Sequence, residues 1–111
     1  MKTISPCSLL GSILYSITAM NISVVSLEQI YILRDKLQER LESKDYCISI
    51  CYEDIETFVR TYNHLAELKD GTLYISQSIN THSELQRCFR TGLSTYVLQV
   101  IDMLTTDFFE N

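Results

Sequence analysis

Apolar residues recur at helical spacing near the start of the chain. Leu9, Leu10, Ile13, Leu14, Ile17 and Met20 share a face, with Ser8, Ser12, Ser16 and Thr18 between them. Pro6 suits the first turn of this helix, where a missing N–H costs nothing. The polar face is nearly uncharged, which predicts cover on both sides. Residues 22–25 are rich in β-branched side chains and read as an extended link or short strand. Ser26 and Gln29 then have capping-box spacing and open a second helix. Leu27, Ile30, Leu33, Leu37 and Leu41 form its apolar stripe, and it is expected to end near Ser43 or Lys44.

From residue 46 the period changes to two. Ile48 and Ile50 point one way and Cys47, Ser49 and Cys51 the other, which predicts a strand over 46–51. A third helix follows from about Glu53, with Ile55, Phe58, Val59, Tyr62 and Leu65 as its stripe and His64 on its polar face. Asp70-Gly71 sits between two extended runs. It is a strong hairpin signal, because a type I′ turn needs positive φ at both central positions. Thr81 and Glu84 have capping-box spacing again. One long helix is expected from about His82 to Phe108, roughly 40 Å at a rise of about 1.5 Å per residue. Its Leu85, Phe89, Leu93, Val97, Ile101 and Leu104 are part of an apolar arc wider than one stripe needs. Gly92 inside it marks a kink or a close helix crossing.

These elements predict a mainly helical α+β domain with four helices and a small antiparallel sheet. It is a single domain over 1–111, with a compact core over 1–80 and the last helix over 81–111. The order of strand, helix and hairpin across residues 46–78 resembles the second half of a winged-helix domain. That resemblance implies a winged-helix-like core, and it implies DNA as a ligand, with Arg60, His64 and Lys69 near phosphates. The charges oppose the ligand. Glu53, Asp54 and Glu56 stand at the start of the third helix against Arg60 alone, and DNA is a polyanion.

Charge over the whole chain points the same way. The 111 residues carry a net charge of −5, which disfavours non-specific binding to nucleic acid or anionic membrane. Arg87 and Arg90 form the best basic cluster, and it is small. Lys36 and Arg40 are surrounded by Asp35, Glu39 and Glu42. The apolar run after Lys2 is too short to span a membrane. Ser12 and Ser16 interrupt it and no small-x-small cleavage site follows cleanly, so it is not read as a secretory signal.

Four cysteines occur, Cys7, Cys47, Cys51 and Cys88. In a strand Cys47 and Cys51 would stand roughly 13 Å apart, too far for a disulfide. Buried free thiols in a reducing, cytoplasmic setting are expected. With His64 and His82 these thiols lack the close-pair spacing of structural zinc sites, and neither histidine can be set beside a thiol as a catalytic base. The carboxylates cluster at a helix start and a chain end, where solvation and the helix dipole account for them. The three glycines are isolated, so no phosphate loop is present. No cofactor or metal is expected.

Seven tyrosines outnumber four phenylalanines, and tyrosine favours interfaces. Tyr31 and Tyr52 are the better interface candidates. The surplus on the last helix points to a homodimer through Leu93, Val97, Ile101 and Leu104. The reading is a small non-enzymatic regulatory or inhibitory protein that acts by binding another protein. The alternative is a dimeric winged-helix DNA-binding transcriptional regulator.

Overall fold

The first helix is the hub of the fold. In the computed structural model, which describes residues 1–110, α1 (Pro6–Ala19) buries Leu9, Leu10, Ile13, Leu14 and Ile17 almost completely. It buries Ser12 and Ser16 as well, so the uncharged face is covered as expected. Ser5 caps its start by accepting from the Ser8 N–H, and Pro6 occupies the first turn. The buried serines keep partners, as polar groups removed from water must. Ser12 donates to the Phe89 carbonyl at 3.5 Å, and Ser16 to the Asp102 carboxylate.

A short strand β1 (Lys2–Thr3) precedes α1, and β2 (Val24–Ser26) follows it. The capping box at Ser26 and Gln29 forms in both directions and starts α2 (Leu27–Leu41). Its five stripe residues are all buried. A single 3-10 turn (Glu42–Lys44) leads into β3 (Tyr46–Cys47), which pairs in parallel with β1. The expected six-residue strand is therefore two residues long. Ile48 and Ile50 still turn inward and are buried.

Helix α3 (Tyr52–Thr61) buries Ile55 and Phe58. The Asp54 carboxylate accepts from the Cys51 N–H at 2.8 Å and closes the helix start. The hairpin of β4 (Ala66–Lys69) and β5 (Thr72–Ile75) turns at Asp70 and Gly71, with φ of 52° and 75°. Both are positive, as a type I′ turn requires. β5 also pairs antiparallel with β2, so the three-stranded sheet has the order β2-β5-β4. Val25, Leu73 and Ile75 face the core, while Val24 and Tyr74, opposite each other across two strands, face outward.

The single long helix does not form. Two helices stand in its place, α4 (Thr81–Phe89) and α5 (Thr95–Glu110). The chain turns at residues 90–94, and the Ser94 hydroxyl accepts from the Val97 N–H to open α5. Both helices pack against α1. The break is what lets both cover it. The close helix approach involves a different glycine from the one expected. A Cβ on Gly11 would lie 2.2 Å from the Phe89 ring, whereas one on Gly92 would meet nothing within 4 Å. The expected capping box at Thr81 and Glu84 is also absent. Glu84 bonds to His64 instead, and Thr81 is buried.

The result is an α+β fold with five α-helices and a small antiparallel sheet, 61% helical over the described residues. No helix among the described residues is long and apolar enough to cross a membrane.

Candidate functional site

Two surfaces of this fold combine shape with exposed chemistry. The first is the groove between α3 and the hairpin, about 520 Å³, lined by Tyr52, Glu56, Val59, Arg60, Leu68, Asp70 and Gly71. Its position follows from local sequence. The stripe of α3 turns Phe58 inward and leaves Glu56 and Arg60 outside. The tight turn brings Asp70 and Gly71 to the opposite rim. Val59 and Leu68 are half-buried and supply an apolar floor, and Tyr52 stands 49% exposed at one end.

Charge on this part of the chain is unbalanced. Residues 52–75 hold Glu53, Asp54, Glu56, Glu67 and Asp70 against Arg60 and Lys69, a surplus of three carboxylates. Asp54 is engaged at the helix start. Glu53, Glu56, Arg60, Glu67, Lys69 and Asp70 enter no ion pair among the described residues.

Tyr31 on α2 adjoins this groove. The Arg34 guanidinium lies 4.9 Å from its ring centre, and Arg34 also donates to the Ile50 carbonyl at 2.8 Å. Burial pushes the Tyr31 hydroxyl above the usual tyrosine range; Arg34 opposes this, and the nearby Cys51 and Tyr52 add to it. The two interface tyrosines expected from sequence are thus neighbours.

The other expected contact residues divide. Val97 and Ile101 are 1% and 0% exposed. They are enclosed by the chain's own core and offer no surface to a second copy, which corrects the four-residue dimer seam. Leu93 and Leu104 are half-buried. The apolar surplus is consumed internally, because two helices rather than one approach α1. Of the trio expected near phosphates, Arg60 is exposed and lines the groove, while Lys69 is exposed on the hairpin and is not among the groove's walls. His64 is not on α3 at all. It lies in the turn beyond the helix, with its Nε2 2.5 Å from a Glu84 carboxylate oxygen.

All four cysteines are free thiols, but only Cys7 and Cys47 are half-buried; Cys51 and Cys88 are exposed, against the expectation of buried thiols. Desolvation pushes the Cys7 thiol up, with a hydrogen bond to Tyr62 opposing it. No group of three or more potential metal ligands gathers among the described residues.

The second surface was not foreseen from sequence. It is a polar cavity of about 290 Å³ where the end of α1, the start of β2, the end of β5 and the start of α4 meet. Thr18, Ser23, Ser76, Ser78, Thr81 and His82 are among its walls. The sequence signal is the hydroxyl-rich run from Ser76 to Thr81. Beside the cavity, the Tyr15 ring stacks on His82 at 4.1 Å, and the Arg90 guanidinium lies 4.1 Å from the same ring centre. Arg90 in turn holds Asp102 through two 2.8 Å bonds. Helices α1, α4 and α5 are tied together by this chain of contacts. Comparison with protein-family models, curated proteins and solved structures returns no match to this chain.

Proposed function

We propose that this protein is a non-enzymatic regulatory or inhibitory module that binds another protein through the α3–hairpin groove of a winged-helix-like core. The scaffold reading is supported by topology. With the two-residue strands β1 and β3 left aside, the order α1, β2, α2, α3, β4, β5, with β5 between β2 and β4, is in keeping with a winged-helix plan. Fold does not give function, so the reading of the groove is carried by its chemistry.

The observation that carries it is the pairing of an apolar floor and exposed Tyr52 with a surplus of unpaired carboxylates. A tyrosine that is half-exposed supplies contact area at small entropy cost. Carboxylates around it favour a partner segment carrying lysine or arginine and repel phosphate backbones. Such charges set specificity and on-rate more than affinity, and the aromatic anchor contributes most of the binding energy.

The DNA-binding reading is favoured by one observation, the exposure of Arg60 at the groove and of Lys69 on the hairpin. Two cations against five carboxylates are few for a binding mode that gains affinity from neutralising several phosphates.

One experiment separates the readings. The full chain, with a photo-crosslinking residue at Tyr52, is used to capture partners from the source cell beside the same chain carrying Glu56→Lys. A protein adduct lost on charge reversal supports the proposal. In parallel, anisotropy with mixed-sequence duplexes at about 50 and about 200 mM salt reports DNA affinity and its salt slope. Sub-micromolar binding with a steep slope overturns the protein-binding reading.

A further inference from the structure

The free edge of the three-stranded sheet, at β4, is complementary to itself. We infer that β4 pairs with β4 of a second copy, antiparallel and centred on Leu68, so that the two sheets join into one.

The ladder shows which backbone groups are open. The Ser76 N–H donates to the Leu65 carbonyl at 2.8 Å, so these residues form a hydrogen-bonded pair where β4 meets β5. Bonded and non-bonded pairs alternate along an antiparallel ladder. In the register of this hairpin, Glu67–Tyr74 and Lys69–Thr72 are therefore bonded pairs, and Ala66–Ile75 and Leu68–Leu73 are not. The Ile75 N–H bears this out, since it turns from β4 and donates to the Ser23 carbonyl just before β2. The Leu68 N–H and carbonyl thus point away from β5, onto the free edge. On the same edge the Ala66 N–H is taken by the Tyr62 carbonyl, but among the described residues no bond outside the ladder takes up Leu68. Helix α3 leaves it uncovered, because the groove of about 520 Å³ lies between helix and hairpin and Leu68 lines it. An unpaired strand edge is a template for another strand.

The side chains say which strand. Leu68 is half-buried, and Glu67 and Lys69 on either side of it are exposed and enter no ion pair among the described residues. When two copies of β4 run antiparallel with Leu68 opposite Leu68, Glu67 of each copy stands opposite Lys69 of the other. The two leucines then exchange both backbone bonds. The Glu67–Lys69 pairs fall at the non-bonded positions, where side chains come closest. Opposite charges there are favourable and like charges are not. A parallel arrangement in register would set like against like, so charge selects the antiparallel one. A patch that complements itself is the mark of a two-fold interface.

The other edge of the sheet lacks this pattern. β2 carries no charged residue, and its Ser26 N–H is held by the Gln29 side chain. Glu67 and Lys69 are not walls of the α3–hairpin groove, so the inference does not rest on the partner proposed for that groove. A four-residue edge is a small interface, which places this dimer in the weak, reversible class.

The test uses the full chain with a thiol reductant present, because Cys51 and Cys88 are exposed. Sedimentation equilibrium at concentrations up to about 1 mM, the weak end of the affinity scale, is expected to show a reversible dimer. Hydrogen exchange at the Leu68 amide is expected to slow as concentration rises. Glu67→Lys alone and Lys69→Glu alone each set like charges opposite one another and are expected to weaken the dimer about tenfold. An equal mixture of the two variants restores opposite charges at both positions and should dimerise as the parent chain does. Should either variant fail to fold, the chain carrying both reversals decides, since it restores the pattern within one copy. A monomer at every concentration, a dimer indifferent to both reversals, or reversals that the mixture or the double variant does not rescue would overturn the inference.

Discussion

The C-terminal pair α4–α5 and the α3–hairpin limb hold similar apolar material and use it differently. In the pair, Leu85, Phe89, Val97, Val100 and Ile101 are all buried against the chain's own core. In the limb, Tyr52 and Tyr74 remain 49% and 44% exposed, beside carboxylates with no ionic partner. In the pair, Arg90 clamps Asp102 and is itself nearly buried. Apolar content is thus a poor guide to an interface. Apolar surface left exposed together with unmatched charge is a better one.

The largest test of this comparison is Val97→Asp. An unpaired charge in a core is among the few changes expected to cost about 4 kcal/mol or more. Urea unfolding should show a chain largely unfolded at low denaturant, with no folded monomer. If a folded monomer appears, position 97 serves an interface after all. Val97→Leu adds one methylene to the core and should cost about 1 to 3 kcal/mol.

Gly11→Ala tests how closely α1 and α4 approach. The added methyl clashes with the Phe89 ring and is expected to destabilise by about 1 to 3 kcal/mol. The helix propensity of alanine offsets about 1 kcal/mol of that. Phe89→Leu in the same chain should relieve part of the clash, so a double-mutant cycle reads a coupling well away from zero.

A smaller effect concerns alkaline stability. Burial raises the Cys7 thiol above its usual 9.0 and the Tyr62 hydroxyl above its usual 10.0. Below these values folded and unfolded chains bind the same protons. Above them the unfolded chain releases protons first, so stability falls as pH rises. The unfolding midpoint should decline beyond about pH 9, and Cys7→Ala should flatten that decline. Thiol labelling at neutral pH should reach Cys51 and Cys88 before Cys7, by mass spectrometry of digests.

The smallest effect is expected on the limb. Glu56→Lys with Glu67→Lys, both outside the first turn of α3, should shift stability by less than about 0.5 kcal/mol, as surface changes do. The same pair should raise affinity for duplex DNA and steepen its salt dependence. If stability drops instead, these carboxylates support the fold rather than a partner.

Much of the candidate groove was legible. The stripe of α3 and the Asp70-Gly71 turn define its two walls, and Tyr31 and Tyr52 were marked as surface tyrosines. The polar cavity was not, because its walls come from four elements separated by more than sixty residues. His64 was misplaced by extending α3 beyond its real end at Thr61. The break before α5 was written in Gly92 and Ser94, a stop and a cap, but an unbroken apolar period outweighed them.

What this sequence determined by itself are features set within about four residues along the chain. The capping box at Ser26 and Gln29, the type I′ turn and the inward faces of α1 and α2 rest on backbone geometry and local side-chain reach. Only the tertiary structure decided that α4 and α5 separate, that β1 pairs with β3, that Gly11 makes room for Phe89, and that Glu84 turns to His64. Each depends on which surfaces compete for the same partner, and that competition exists only once distant segments meet.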